Sequence, residues 1–95
     1  MNIKDLHTKL KPVSAIPHFK AAEGNITAIQ ILNNQLLKEH TTKMPALLVC
    51  VTGEVVFENE KGIKEILLPG DYVHIGPMIK HSVKGIEDSQ LLLIK

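Results

Sequence analysis

The sequence predicts an all-β fold, a small antiparallel barrel or jelly roll that carries a short N-terminal arm. Apolar and β-branched residues alternate in short runs, which is the pattern of half-buried strands. Turn signals rich in Gly, Pro, Asn and Asp separate these runs, roughly every 8–12 residues. No long stretch has helical periodicity. This spacing favours a sandwich, barrel or jelly roll over an open sheet.

Composition limits the chain to one domain and narrows its partners. Ninety-five residues with 44% hydrophobic content suit a single globular unit with a small core. The net charge of +1 provides no field that would steer the chain to nucleic acid or to an anionic membrane. Phe19, Phe57 and Tyr72 are the only aromatic residues, too few for a nucleotide-stacking platform. We therefore expect neither nucleic acid nor membrane as a partner.

Cys50 is the only cysteine, so neither an intrachain disulfide nor a cysteine-rich zinc site is expected. The first eleven residues lack the continuous apolar segment of a signal peptide. The sequence therefore predicts a cytoplasmic protein.

The N-terminal quarter of the chain has a different pattern from the rest. Its first apolar residues fall near helical spacing, and Pro12 and Pro17 then break any helix. We predict an arm or short helix over residues 1–25 and the barrel over residues 26–95.

About eight strands are predicted within the barrel. They cover residues 26–32, 35–40, 46–52, 55–58, 63–68, 72–75, 81–83 and 90–94. Val73 and Ile75 are the apolar positions of their strand, so His74 is expected on the opposite, outward face.

Two segments of the chain resemble the two motifs of the small single-domain cupins. The first cupin motif runs His, any residue, His, three residues, Glu, six residues, Gly, and His40 and Gly53 occupy its ends. In the second motif, Gly70 and His81 match the first Gly and the His. The resemblance spans about residues 37–85 and implies a double-stranded β-helix, the cupin jelly roll.

The match is incomplete at the positions that bind metal in the family. Thr42 stands where the second His would be, and Ala46 stands where the Glu would be. In the second motif, Gly76, Met78 and Gly85 replace the Pro, the Gly and the final Asn. The resemblance therefore supplies two of four metal ligands, His40 and His81, for one divalent transition metal.

The resemblance implies a ligand cavity inside the barrel. Its candidate wall residues are His40, Thr42 and His81, together with Cys50, whose strand parity points it inward. If Lys43 and Lys80 rim this cavity, an anionic small molecule is favoured.

Both faces of the strand over residues 46–52 are apolar. Leu47, Val49 and Val51 have the opposite parity to the inward positions, so they need cover from the arm or from a second subunit. A homodimer is the commonest solution.

Three functions are compatible with these features. The first is a protein that binds a small molecule in the barrel without a complete metal site. The second is a metal-dependent cupin enzyme of isomerase, decarboxylase or dioxygenase type that uses His40 and His81. The third is a dimeric interaction or regulatory module. The sequence leaves open whether the chain is an enzyme.

Overall fold

Two antiparallel β-sheets make up most of the molecule. The computed structural model describes residues 1–95, of which 56% lie in strands and 4% in helix. The all-β prediction is therefore confirmed.

The chain forms nine strands after one short 3-10 helix. The helix spans Ile3–Leu6, and the strands are β1 Val13–Ala21, β2 Gly24–Ile31, β3 Leu36–His40, β4 Ala46–Thr52, β5 Val55–Asn59, β6 Lys64–Leu67, β7 Tyr72–Ile75, β8 His81–Gly85 and β9 Ser89–Ile94. No helix in the chain has the length or the apolar character needed to cross a membrane.

The strands divide between a five-stranded sheet in the order β1-β2-β9-β4-β7 and a four-stranded sheet in the order β3-β8-β5-β6. Every strand pair is antiparallel. Because side chains alternate along each strand, one face of each sheet points into the space between the sheets and the other points out.

The inward faces meet in one core. Its eleven buried members are Ile29, Ile31, Ala46, Leu48, Cys50, Val55, Phe57, Leu67, Ile75, Val83 and Leu91. They come from seven of the nine strands, so the core forms only when both sheets are in register. Phe57 is the largest of them and is 1% exposed.

The N-terminal arm is shorter in the structure than the sequence predicted. Residues 13–21, which the sequence analysis placed in the arm, form β1 and pair with β2 along its length. The strand β1 was not predicted because Pro12 and Pro17 were expected to interrupt regular structure. Pro12 precedes the strand, and Pro17 lies in an edge strand next to a register shift, which are positions where a missing N–H group is tolerated.

The remaining arm folds back over the outer face of the five-stranded sheet. Asn2 caps its 3-10 helix, because the Asn2 Oδ1 atom accepts a hydrogen bond of 2.9 Å from the Lys4 N–H. Ile3 and Leu6 are half-buried, and the helix contacts β2.

Gly53 lies where two turns meet. Its φ is +89°, and a Cβ atom there would lie 2.6 Å from the carbonyl oxygen of Asp88. Next to it, the Ser89 hydroxyl accepts a hydrogen bond from the Glu54 N–H at 3.0 Å. Only glycine fits both the backbone angle and the close approach.

Gly53→Ala is expected to lower the free energy of unfolding by roughly 1–3 kcal/mol from backbone strain, with a further loss from the clash at Asp88. Gly62→Ala is the matched control, because its φ is +83° and nothing lies within 4 Å of the new Cβ. Urea unfolding of both variants separates strain from clash. Equal losses in the two would contradict the close approach at Gly53.

Candidate functional site

His40 and His81 lie side by side at one end of the barrel. The register of β3 and β8 pairs the two residues across the strands. Their ring centroids are 4.2 Å apart, with the planes inclined by 59°. His40 is half-buried and His81 is 2% exposed, so the pair runs from the surface inward.

Main-chain carbonyls fix the same tautomer in both rings. Nδ1 of His40 is 2.8 Å from the Lys38 carbonyl oxygen, and Nδ1 of His81 is 3.0 Å from the Ile79 carbonyl oxygen. A carbonyl oxygen can only accept, so each Nδ1 carries a proton and donates it. In the neutral ring, Nε2 then has a free lone pair.

The buried His81 ring packs against Phe57. The two rings stack at a centroid distance of 5.9 Å and an angle of 24°. Burial lowers the pKa of His81, although its hydrogen bond to the Ile79 carbonyl opposes the shift. The charges of His40 and Lys95 lower the pKa further. His81 is therefore a neutral imidazole near pH 7.

Thr42 and Ala46 do not complete a metal site. The Thr42 hydroxyl donates a 2.8 Å hydrogen bond to the Met44 carbonyl oxygen, and its own carbonyl accepts from the Met78 N–H at 2.7 Å. Thr42 thus closes the connection between β3 and β4, and Ala46 has no donor atom. No three His, Cys, Asp or Glu side chains come together. The residues present do not fit a metal centre with three protein ligands.

Cys50 belongs to the packed core. It is fully buried, and its thiol points to the carbonyl oxygen of Thr52 at 3.5 Å. Burial raises the pKa of Cys50, and the charge of Asp71 raises it further, so the thiol stays protonated. The inward orientation predicted for Cys50 is observed, but it faces other core residues.

The sequence predicted a ligand cavity inside the barrel, but core side chains fill the barrel interior. The molecule has five cavities, of about 200 to 580 Å³, and none is lined by the four candidate wall residues His40, Thr42, Cys50 and His81. One cavity of about 410 Å³ lies where the β1–β2 hairpin meets Met44 and Lys95. The side chains that the sequence analysis placed around a cavity thus divide between the barrel end and the packed core.

The other histidines occupy three different settings. His74 is exposed on the outer face of β7, as the strand parity predicts, and its ring lies nearly perpendicular to that of Tyr72 with the centroids 5.6 Å apart. His18 is exposed on β1. His7, expected at the surface, is instead half-buried, and its Nδ1 lies 2.8 Å from the Ser14 hydroxyl. Burial lowers the pKa of His7.

The side chains of Gln30 and Gln90 form a buried amide pair that the sequence did not predict. Nε2 of Gln90 donates to Oε1 of Gln30 at 2.7 Å, and both side chains are more than nine-tenths buried on the outer face of the five-stranded sheet. Each of the two apolar strands carries a glutamine at an outward position, which could have indicated the pair. Predicting their contact also requires knowing that β2 and β9 are neighbours.

The predicted interface residues lie on that same outer face. Leu47, Val49 and Val51 are all half-buried. Val51 lines a cavity of about 470 Å³ with Ile3 and Leu92, so the arm lies beside that end of β4.

Several solved structures of cupin proteins are similar in fold to this chain. A cupin superfamily protein from Desulfitobacterium hafniense DCB-2 has a TM-score of 0.84 at 16% identity, with 98% of this chain and 84% of that chain covered. A cupin-2 domain protein from Shewanella frigidimarina has a TM-score of 0.81 at 11% identity, covering 100% and 92%. KdgF from a Halomonas species has a TM-score of 0.79 at 17% identity, covering 92% and 81%.

No protein-family profile and no curated protein matches the chain by sequence. The likeness is therefore one of fold, and the chain has the RmlC-like cupin fold. The resemblance inferred from His40, Gly53, Gly70 and His81 is confirmed at that level.

The lowered pKa values of His81 and His7 predict that stability falls in mild acid. Below about pH 6.5 the unfolded chain takes up protons that the folded chain resists, so the free energy of unfolding decreases as pH falls. The slope is at most about 1.4 kcal/mol per pH unit for each histidine.

Urea unfolding between pH 5 and 8 measures this slope. His81→Gln and His7→Gln should each make it shallower, and the exposed His18→Gln serves as the matched control. An unchanged slope in both buried-site variants would contradict the assignment.

Proposed function

We propose that this chain is a small cupin-fold protein that binds a small organic molecule at the end of the barrel where His40 and His81 meet. The observation that supports the proposal is the hydrogen bonding of the two rings. Each Nδ1–H is held by a main-chain carbonyl, and neither Nε2 has a partner in the chain. Two oriented acceptors at the edge of a rigid barrel are suited to a ligand that carries hydrogen-bond donors.

Lys95 is the cationic side chain near the pair that could hold an acidic ligand. Its charge lowers the pKa of His81, and it lines the cavity of about 410 Å³ together with Met44 and the carboxylate of Glu23. The Met44 carbonyl in turn accepts from Thr42, which connects this cavity to the β3–β4 turn. A ligand with a carboxylate near Lys95 and a hydroxyl that donates to Nε2 satisfies both features. A small hydroxy acid has this chemistry.

Two imidazoles also constitute the smallest set that can retain a transition metal. A main-chain carbonyl that accepts from the other ring nitrogen, as here, is typical of metal-binding histidines. A carboxylate or third imidazole is absent at the ligand positions of the motif, Thr42 and Ala46. We therefore assign the two Nε2 atoms to an organic ligand, and the metal-dependent enzyme becomes the alternative that experiment decides.

Glycolate, lactate, malate and citrate are suitable probes. A probe in hundredfold excess over its Kd should stabilise the native chain by about 2.7 kcal/mol, a rise in Tm of about 10 °C or more for this size. Lys95→Met and His40→Phe should reduce the rise. Lys84→Met is the matched control, because Lys84 is exposed on β8, on the outer face of the four-stranded sheet.

Elemental analysis of the untagged protein separates the alternatives. About one metal per chain, lost in a His40→Ala/His81→Ala double variant, would overturn this proposal in favour of a metal-dependent cupin. Failure of every acid to raise Tm in the metal-free protein would also refute it.

We further propose that the chain forms a homodimer through the outer face of the five-stranded sheet. One row across this face, from β1 to β7, is Ile16, Ala28, Leu92, Val49 and Tyr72. Tyr72 is 61% exposed and Phe19, near the other edge, is 59% exposed. The arm lies beside the Val51 end of β4. Leu47 and Val49 are therefore the residues of β4 that a second copy of the chain could cover. Ala28 in this row is fully buried within the chain, and the other members are at least partly exposed. Exposed apolar side chains on one face of a sheet are typical of an interface.

Val49→Lys should convert the dimer to a monomer in sedimentation velocity experiments, because it buries an unpaired charge at the centre of the contact. Val56→Lys is the matched control, a half-buried valine on the outer face of the other sheet. The circular dichroism spectrum should stay that of the wild type in both variants. A monomeric wild type at high micromolar concentration would refute the dimer.

A further inference from the structure

A row of polar residues crosses the otherwise apolar outer face of the five-stranded sheet. Ser14 pairs with Gln30, Gln30 with Gln90, and Gln90 with Thr52, so the row runs through β1, β2, β9 and β4. Three of its members, Ser14, Gln30 and Gln90, are buried. The next row along the strands contains Ile16, Ala28, Leu92 and Val49. A buried polar row beside an apolar one requires a hydrogen-bonding reason.

The N-terminal segment arches over this row and leaves a groove, here called the arm groove, of about 580 Å³. His7 anchors the segment through its hydrogen bond to Ser14. Gln30, Gln90 and Thr52 form the floor, and Lys4, Asp5, Lys9 and Asp88 are among the residues that line the rest. The volume lies within the range of ordinary small-molecule sites. The groove is outside the barrel and shares no lining residue with the cavity next to Lys95.

Two buried polar atoms in residues that line the arm groove have no partner in the chain. They are Oε1 of Gln90 and Nε2 of His7, and they are the only buried side-chain polar atoms without one. Gln90 itself is 7% exposed. Nearly all buried polar atoms in folded proteins are hydrogen-bonded, so two exceptions beside one groove indicate that something else supplies their partners.

We propose that the arm groove binds an uncharged small molecule that carries several hydroxyl groups. Oε1 of Gln90 is an acceptor and needs a donor. The Ser14 hydroxyl has only one hydrogen-bond partner, Nδ1 of His7, and when it donates there Nε2 of His7 carries a proton and needs an acceptor. A hydroxyl group both donates and accepts, so a molecule with several hydroxyls can supply a partner to each of the two atoms.

The assignment does not depend on how the glutamine amides are turned. If both amides are reversed, Gln30 donates to Gln90, and Nε2 of Gln90 becomes the unpaired atom. A hydroxyl oxygen accepts from that atom equally well.

The charges around the groove select against ions. Lys4 and Lys9 are balanced by Asp5 and Asp88, so the rim has no net charge to attract an anion or a cation. An uncharged polyol enters without a desolvated charge that would need its own partner.

The test uses myo-inositol as the uncharged probe, with gluconate and glucosamine as its anionic and cationic counterparts. In ¹H–¹⁵N spectra of the full chain, myo-inositol should shift the side-chain amide signals of Gln90 and the ring signals of His7. Gln90→Met and His7→Phe should each weaken binding by about tenfold, the loss expected for one hydrogen bond to a buried group.

Gln35→Met is the matched control, because Gln35 lies in the turn before β3 and outside the groove. It should leave the affinity unchanged. His7 lies in the arm and is not part of the core, so His7→Phe should leave the barrel folded, which circular dichroism checks. The test therefore stands even if Gln90→Met unfolds. No shift with myo-inositol, an unchanged affinity in His7→Phe, or tighter binding of gluconate or glucosamine would each overturn the proposal.

Discussion

The structure depends on one constraint. The space between the two sheets must be filled by very few side chains, because the strands are short. Phe57 and ten smaller residues do this, and they come from both sheets. A chain of 95 residues has little surplus apolar volume, so an interior given over to packing leaves little room for a ligand. Polar groups with free hydrogen-bonding capacity are therefore found at the barrel end, in His40 and His81, and on the outer sheet face, in Gln90.

Much of the fold could be predicted because its strands are short and separated by turns with specific backbone requirements. β4 was predicted at its observed bounds, and the outward face of His74 followed from parity alone. β1 was missed because proline counts against a strand in any local rule, whereas an edge strand next to a register shift tolerates it. Whether a strand lies at an edge depends on the whole sheet, and that information is not local in the sequence.

The candidate site, like the fold, could be predicted from the sequence only in part. The motif resemblance identified His40 and His81, and the fold brings their rings within 4.2 Å. The hydrogen bonds to the Lys38 and Ile79 carbonyls could not be predicted. They depend on local backbone geometry, including the register shift between Leu37 and His40, which no residue type specifies. The contact of His7 with Ser14 was missed for another reason. It requires the arm to fold back over the sheet, and the sequence contains no marker of that direction.

The proline in β1 has a consequence for how these molecules can associate. β1 and β7 are the two edges of the five-stranded sheet. Pro17 offers no N–H group, and the register shift between Pro17 and Phe19 interrupts the strand, while β7 is only four residues long. Neither edge presents a long regular ladder on which another chain could add a strand. Addition of a further strand to either edge of the five-stranded sheet, the first step of open-ended growth through this sheet, is thereby disfavoured.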